Sequence, residues 1–261
     1  MTWDVASVAA ELLHCEDERI DRPAFTDEWP ELDLDTGYEI QDRNLEARLA
    51  RGETLVGVKL GLTSKAKQQR MGVHVPLVAW LTDAMILPAG EPVPQSRLIH
   101  PRVEPEIVFT MKHRLEGPGV GCAAAMAAVD SVWAGAEVID SRYRDFKFQA
   151  GDVVADNASS GAYVTGPVGV SPSSLDLTLE AVLVEVDGVV VDSATGAAVQ
   201  GHPGEALALA ANELARRGRA IEPGWIVLTG GMTDAVPAPP GVSVAFHFTH
   251  LGSIHVNGGK D

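Results

Sequence analysis

Apolar positions along the chain recur first at helical spacing and then at strand spacing. Val5, Val8, Ala9 and Leu12 form a stripe at intervals of three and four and predict a helix over residues 3–14. An acid- and proline-rich loop follows from Glu16 to Asp35, and a second helix is predicted from Gly37 to Arg51, with Gly52 placed to end it. From Thr54 the pattern changes. Val56–Leu60 and Ile107–Met111 predict strands. Thr178–Val186 alternates, reaches Asp187-Gly188 and continues as Val189-Val190-Val191, a strong hairpin signal. Trp225–Thr229, Val242–Phe248 and Ser253–Val256 complete a β-rich second half. Two helices interrupt it, over Ala123–Val132 and Pro203–Arg217; the latter carries the stripe Leu207, Ala210, Ala211, Leu214 behind a first-turn proline. The pattern predicts an α+β protein: a helical N-terminal arm over residues 1–53, then a domain over 54–261 in which a mixed β-sheet curls on itself.

Composition narrows the function classes. At 46% apolar and 21% charged residues the chain is ordinary globular protein. No run of 18 apolar residues predicts a membrane helix, and Met1-Thr2-Trp3-Asp4 lacks the basic start of a signal peptide. Cys15 and Cys122 form no CxxC pair, so free thiols and a cytoplasmic setting are expected. Twenty basic residues stand against 36 acidic ones, a net charge of −16. Residues 1–50 hold 14 Asp/Glu against 4 Arg, a net of −10, which reads as a solvated face. Such a surface repels nucleic acid and anionic lipid, so neither is an expected partner.

Several segments carry chemistry. Glu104 and Glu106 alternate on one strand and face the same side. Their carboxylates repel unless a hard cation such as Mg²⁺ or Mn²⁺ lies between them, or unless Glu104-Pro105-Glu106 is a solvated edge. Glu137, at the start of Val138-Ile139, could add a third carboxylate. Lys59 is a lone charge in the run Val56-Gly57-Val58-Lys59-Leu60: either a desolvated lysine with a carboxylate partner or a snorkelling strand end. Residues 139–148, IDSRYRDFKF, could bind a dianion through an arginine or form an ion-paired turn. Asp156–Gly161 is turn chemistry. The GxGxxA match at Gly119–Ala124 lacks the preceding strand-to-helix turn and is discounted.

Taken together, five blocks resemble the hydratase/decarboxylase branch of the fumarylacetoacetate hydrolase superfamily, which serves meta-cleavage pathways for aromatic compounds. They are Gly57–Ser64, His100–Glu106, Glu137–Arg142, Ala155–Ser160 and Thr229–Thr233. The resemblance implies that Glu104, Glu106 and Glu137 bind Mg²⁺ or Mn²⁺ and that Lys59 is an active-site lysine. It also implies that Leu62, Thr63 and Ser160 lie near the 2-oxo acid end of the substrate. A β-roll core and homo-oligomers are expected with it, and a complex with the pathway hydratase is a possible partnership. Two reactions belong to the branch: removal of CO2 from 4-oxalocrotonate, a 2-oxo dicarboxylate, and addition of water to 2-hydroxypenta-2,4-dienoate. Glu137–Phe148 looks more like the decarboxylases, and Leu77 stands where hydratases tend to carry an acid. Decarboxylation is therefore the expected reaction, with Arg142 on the distal carboxylate. Hydration is the alternative, and a non-catalytic 2-oxo acid-binding subunit the second. The role of Asp83 is left open.

Overall fold

The computed structural model describes residues 3–74 and 76–259; Met1, Thr2, Val75, Lys260 and Asp261 lie outside the described residues. Two helices come first, α1 (Val5–Glu18) and α2 (Leu34–Ala50). Asp4 accepts from the Ser7 N–H and caps α1. Asp33 caps α2 through Thr36, so α2 starts three residues before the predicted Gly37. Then follow β1 (Leu55–Gly61), α3 (Lys65–Met71), β2 (Leu77–Thr82), β3 (Arg102–Met111), α4 (Cys122–Ala127) and β4 (Val129–Ile139). The chain continues through α5 (Ala150–Ala155), β5 (Ser160–Val170), β6 (Ala181–Val186), β7 (Val189–Thr195) and α6 (Pro203–Arg216). It ends with β8 (Ile226–Leu228), β9 (Val236–Pro237), β10 (Ser243–Phe248) and β11 (Ser253–Asn257).

The strands build two sheets. One runs β2-β1-β8-β3-β4-β5, with β9 also paired to β3; the other runs β11-β10-β6-β7. β1 and β8 pair in parallel and the other ladders are antiparallel, so the first sheet is mixed as expected. The sheets share one core. Ile107, Val132, Ala134 and Val138 of the first pack with Val184, Phe246, Ile254 and Val256 of the second, and the stripe of α6 closes the layer. The N-terminal helices cover another flank: Val8, Leu12, Phe25 and Ile40 pack on Tyr143 and Ala155. Among the described residues no helix is long and apolar enough to cross a membrane.

Departures from the sequence pattern have physical causes. The Ala123–Val132 helix stops at Ala127, because Val129 and Val132 enter an eleven-residue strand that pairs with all of β3. β3 starts at Arg102 rather than Ile107, so Glu104 and Glu106 lie inside a strand and not at its edge. β2 reads LVAWLT and is buried at every position, which leaves no alternation to detect. The Asp187-Gly188 hairpin forms as predicted, with both residues left-handed (φ 49° and 82°).

Candidate active site

Strand pairing assembles an acidic cluster. β3 and β4 set Glu104 directly opposite Glu137, with Glu106 opposite Gly135. Like charges in direct cross-strand register destabilise a sheet. One carboxylate oxygen of each lies within 4.8 Å of the other two. Glu106 and Glu137 are buried and Glu104 is half-buried. Burial, Glu137 and Glu104, in that order, push the Glu106 carboxyl well above its usual range.

The backbone around the cluster is shaped for it. Beyond Leu228 the chain stays on β3 through Thr229 N–H to Ile107 O (3.2 Å) and Met232 N–H to Pro105 O (2.9 Å). Between these bonds Gly230 and Gly231 leave the ladder. Gly230 has φ +110° and donates its N–H to Glu106 Oε2 at 2.7 Å. A Cβ on Gly231 would lie 2.1 Å from Glu104 Oε2. Among the described residues Glu106 Oε1, which is buried, has no hydrogen-bond partner. An orphaned buried oxygen within an all-carboxylate donor set fits a hard divalent cation.

Lys59 reaches the cluster from β1. Its Nζ lies 3.0 Å from Glu137 Oε1 and 3.2 Å from Oε2, and donates to Ala158 O at 2.6 Å. That carbonyl is presented by a turn in which Asn157, Ala158 and Ser159 are all left-handed (φ 48°, 48° and 59°). Asn157 ties the turn to β2 by accepting from Trp80 N–H and donating to Trp80 O, each at 2.9 Å. Backbone strain here holds an acceptor on the lysine.

Lys59 and Glu104 open into a cleft of about 560 Å³. Its polar rim includes Arg102 and Asp234. Its apolar wall is formed by Leu62, Met71, Leu77, Ile139, Phe148 and Val153, with Phe146 beside Arg102.

The sequence-derived residues divide into three groups. Lys59, Leu62 and Glu104 line the cleft, with Glu106 and Glu137 beneath them. Thr63 and Ser160 are buried behind that surface. Thr63 packs against Gly230, and Ser160 Oγ lies 3.5 Å from Glu137 Oε1. Arg142 is not brought to the cleft. It is buried, with Nε on Asp156, Nη1 on Ser160 O at 3.1 Å and Nη2 on Asp156 O at 2.6 Å. Each guanidinium nitrogen has an interior partner and Arg142 does not line the cleft, which argues against the distal-carboxylate role. Asp83 is exposed and accepts from Thr54 N–H, away from the cleft lining. Arg102 and Phe146 lacked an assignment from sequence. The alternation that pairs Glu104 with Glu106 also places Arg102 on their face.

No family model matches the chain. Individual proteins do. It is 41% identical over 250 residues to a 4-oxalocrotonate decarboxylase of Pseudomonas sp. strain CF600, covering 96% of this chain and 95% of the relative. It is 45% identical over 189 residues to a 2-hydroxypent-2,4-dienoate hydratase of Pseudomonas putida, covering 72% of this chain and 85% of the relative. Among solved structures, 4-oxalocrotonate decarboxylase from Pseudomonas putida G7, complexed with magnesium and adipate, superposes with a TM-score of 0.95 at 41% identity, covering 97% and 96% of the two chains. Fumarylpyruvate hydrolase from Pseudomonas aeruginosa, in complex with Mn²⁺ and pyruvate, shares the fold at a TM-score of 0.62 and 16% identity, covering 79% and 90%.

Proposed function

Because the chain belongs to the hydratase/decarboxylase family of the fumarylacetoacetate hydrolase superfamily, we propose that it removes CO2 from 4-oxalocrotonate (2-oxohex-3-enedioate). The product is 2-hydroxypenta-2,4-dienoate, in the meta-cleavage breakdown of aromatic compounds. Glu104, Glu106 and Glu137 would hold Mg²⁺ or Mn²⁺. When bound there, the cation supplies Lewis-acid stabilisation of negative charge on the C2 oxygen of the substrate.

The rest of the reaction falls to the chain's own groups. As the C5–C6 bond breaks, its electron pair moves through C4 and C3 to the C2 oxygen, and a proton on that oxygen completes the product. Lys59 Nζ contacts Glu137 and Ala158 O and lines the cleft. It places positive charge, and a deliverable proton, beside the C2 oxygen. Leu62 and the buried Leu77 exclude water along the apolar wall, where a departing carboxylate sheds its charge as CO2.

The observation that carries the decarboxylase reading is Leu77 on the cleft wall. A hydratase must activate water, and this position offers no base. The likeness to a hydratase over 72% of the chain supports water addition at the same site as the second reading. A non-catalytic 2-oxo acid-binding subunit would bind ligand without turnover. CO2 release from 4-oxalocrotonate is to be measured with Mg²⁺ and then with EDTA. Metal-dependent release is expected. Its absence, with metal-dependent consumption of 2-hydroxypenta-2,4-dienoate, establishes the hydratase instead.

The same reading places the enzyme in the cytoplasm as a homo-oligomer, with a complex with the pathway hydratase as a further partnership. The uncovered valines of β7, Val189, Val190 and Val191, at 62%, 54% and 51% exposure, support self-association.

A further inference from the structure

Arg102 shares one face of β3 with Glu104 and Glu106, since residues two apart on a strand point the same way. Burial falls along that row. Glu106 is fully buried, whereas Glu104 and Arg102 are half-buried. The row therefore runs from a deep oxygen cluster to a cation on the cleft rim.

The guanidinium of Arg102 makes no ion pair among the described residues. Its carbon lies 4.1 Å from the centre of the Phe146 ring, and the His100 ring lies 4.9 Å from the same ring. Seating Phe146 there requires left-handed backbone at Asp145 and at Phe146 itself (φ 57° and 56°). That conformation is strained for a bulky aromatic and persists where the surroundings enforce it. A guanidinium resting on an aromatic face keeps its N–H edge free for a planar anion.

We propose that Arg102, oriented by Phe146, binds the distal carboxylate of a six-carbon 2-oxo dicarboxylate and so selects dicarboxylates over 2-oxo monocarboxylates. The inference rests on the decarboxylase reading and adds the residue that recognises the leaving carboxylate. The dimensions agree. Five carbon–carbon bonds of about 1.5 Å in zigzag separate the end carbons by roughly 6 Å. Residues two apart on a strand are separated by about 6.7 Å. A 2-oxo acid end at the carboxylate cluster thus leaves the other end beside Arg102.

The reaction sets the kinetic signature. The distal carboxylate loses its charge as CO2 forms, so Arg102 holds it more tightly in the ground state than in the transition state. Such an interaction lowers KM and does nothing for kcat. Removing it raises KM for 4-oxalocrotonate by about 10–100-fold, the range of a charge-assisted hydrogen-bonded pair, while kcat holds or rises. A loss confined to kcat overturns the proposal.

The binding test uses the full chain with Mg²⁺ and two ligands that differ only at the distal end, 2-oxohexanedioate and 2-oxohexanoate. Affinities are measured by calorimetry for the unaltered protein, Arg102→Gln and Arg102→Lys. Arg102→Gln is expected to weaken the dicarboxylate about 10–100-fold and leave the monocarboxylate within about threefold, which also certifies the fold. Arg102→Lys, which keeps the charge and loses the planar fork, falls between. Equal weakening of both ligands, or an undiminished dicarboxylate preference in Arg102→Gln, overturns the proposal. An unaltered protein with no dicarboxylate preference overturns the decarboxylase reading, and this inference with it.

Discussion

Two clusters of buried charge lie close together in this protein and are built on opposite terms. Arg142 and Asp156 form a closed set. Every nitrogen of the guanidinium has a partner, and Asp156 Oδ2 accepts from Arg142 N–H at 3.2 Å and from the Ser141 and Ser159 hydroxyls at 3.4 Å. Burial pushes the Asp156 carboxyl up to about 6, with Arg142 pulling against it. One positive charge meets one negative charge. The cluster of Lys59, Glu104, Glu106 and Glu137 is unfinished: Lys59 pairs with Glu137, and the buried Glu106 Oε1 has no hydrogen-bond partner among the described residues. The contrast teaches that burial of charge does not by itself mark a site. An unsatisfied buried carboxylate oxygen does, because a fold that leaves one is disfavoured unless a ligand completes it.

The sharpest way to break the contrast is to neutralise one acid in each cluster. Glu106→Gln removes an oxygen ligand, so metal-dependent CO2 release should fall below detection, a loss of several kcal/mol of transition-state stabilisation. In EDTA the same variant should melt no lower than the unaltered protein, since a carboxyl that burial and two acidic neighbours disfavour in its charged form is replaced by a neutral amide. Asp156→Ala behaves in the reverse sense. It strands a buried guanidinium and should cost about 3–5 kcal/mol of stability with or without metal, read from denaturant unfolding. If Glu106→Gln destabilises the metal-free protein as much as Asp156→Ala does, the two clusters are the same kind of object and the contrast is wrong.

The two clusters were not equally legible in the sequence. Alternation alone placed Glu104 and Glu106 on one face, and a lone lysine among apolar strand residues marked Lys59. The register that sets Glu137 opposite Glu104 depends on how β3 meets β4, which no local pattern states. Arg142 was assigned to the substrate because a charge-rich segment reveals how many charges it has and not where each points. Its true partner lies 14 residues further on, in a turn. The curled sheet was visible from its alternating and Val-rich strands. β2 was not, because a strand buried on both faces has no alternation. β5 was not either, because its Gly-, Pro- and Thr-containing sequence reads as turns until β4 pairs with it.

A smaller change tests how closely the unfinished cluster is fitted. Gly231→Ala would put a methyl group 2.1 Å from Glu104 Oε2, so that carboxylate must move. Magnesium affinity should fall about 10–100-fold, as when a group that orients a ligand is lost. The Arg142–Asp156 pair is untouched, so the melting temperature in EDTA should change little. Calorimetric titration with Mg²⁺ reads the first and a thermal melt the second. Unchanged affinity would mean that Glu104 is not held where binding needs it.

The finest separation of the clusters is by pH. Burial and its two acidic neighbours raise the Glu106 carboxyl well above its ordinary 4.5. In the metal-free protein the unfolded chain therefore releases this proton first, while the folded chain keeps it. Stability falls as pH rises from about 4.5 to the raised value, by at most ~1.4 kcal/mol per pH unit for one proton, and the full cost is present above that value. Asp156 contributes a fall of the same sign between its ordinary 3.8 and about 6. Only the Glu106 portion can respond to Mg²⁺, because only that proton competes with the cation. Melts in EDTA and in Mg²⁺ across about pH 4.5 to 8 should diverge as pH rises. Below the raised value, magnesium binding should release a proton, seen as a calorimetric heat that depends on the buffer's ionisation enthalpy. Parallel melting curves, with a heat that is the same in every buffer, would mean that Glu106 carries no proton for the metal to displace.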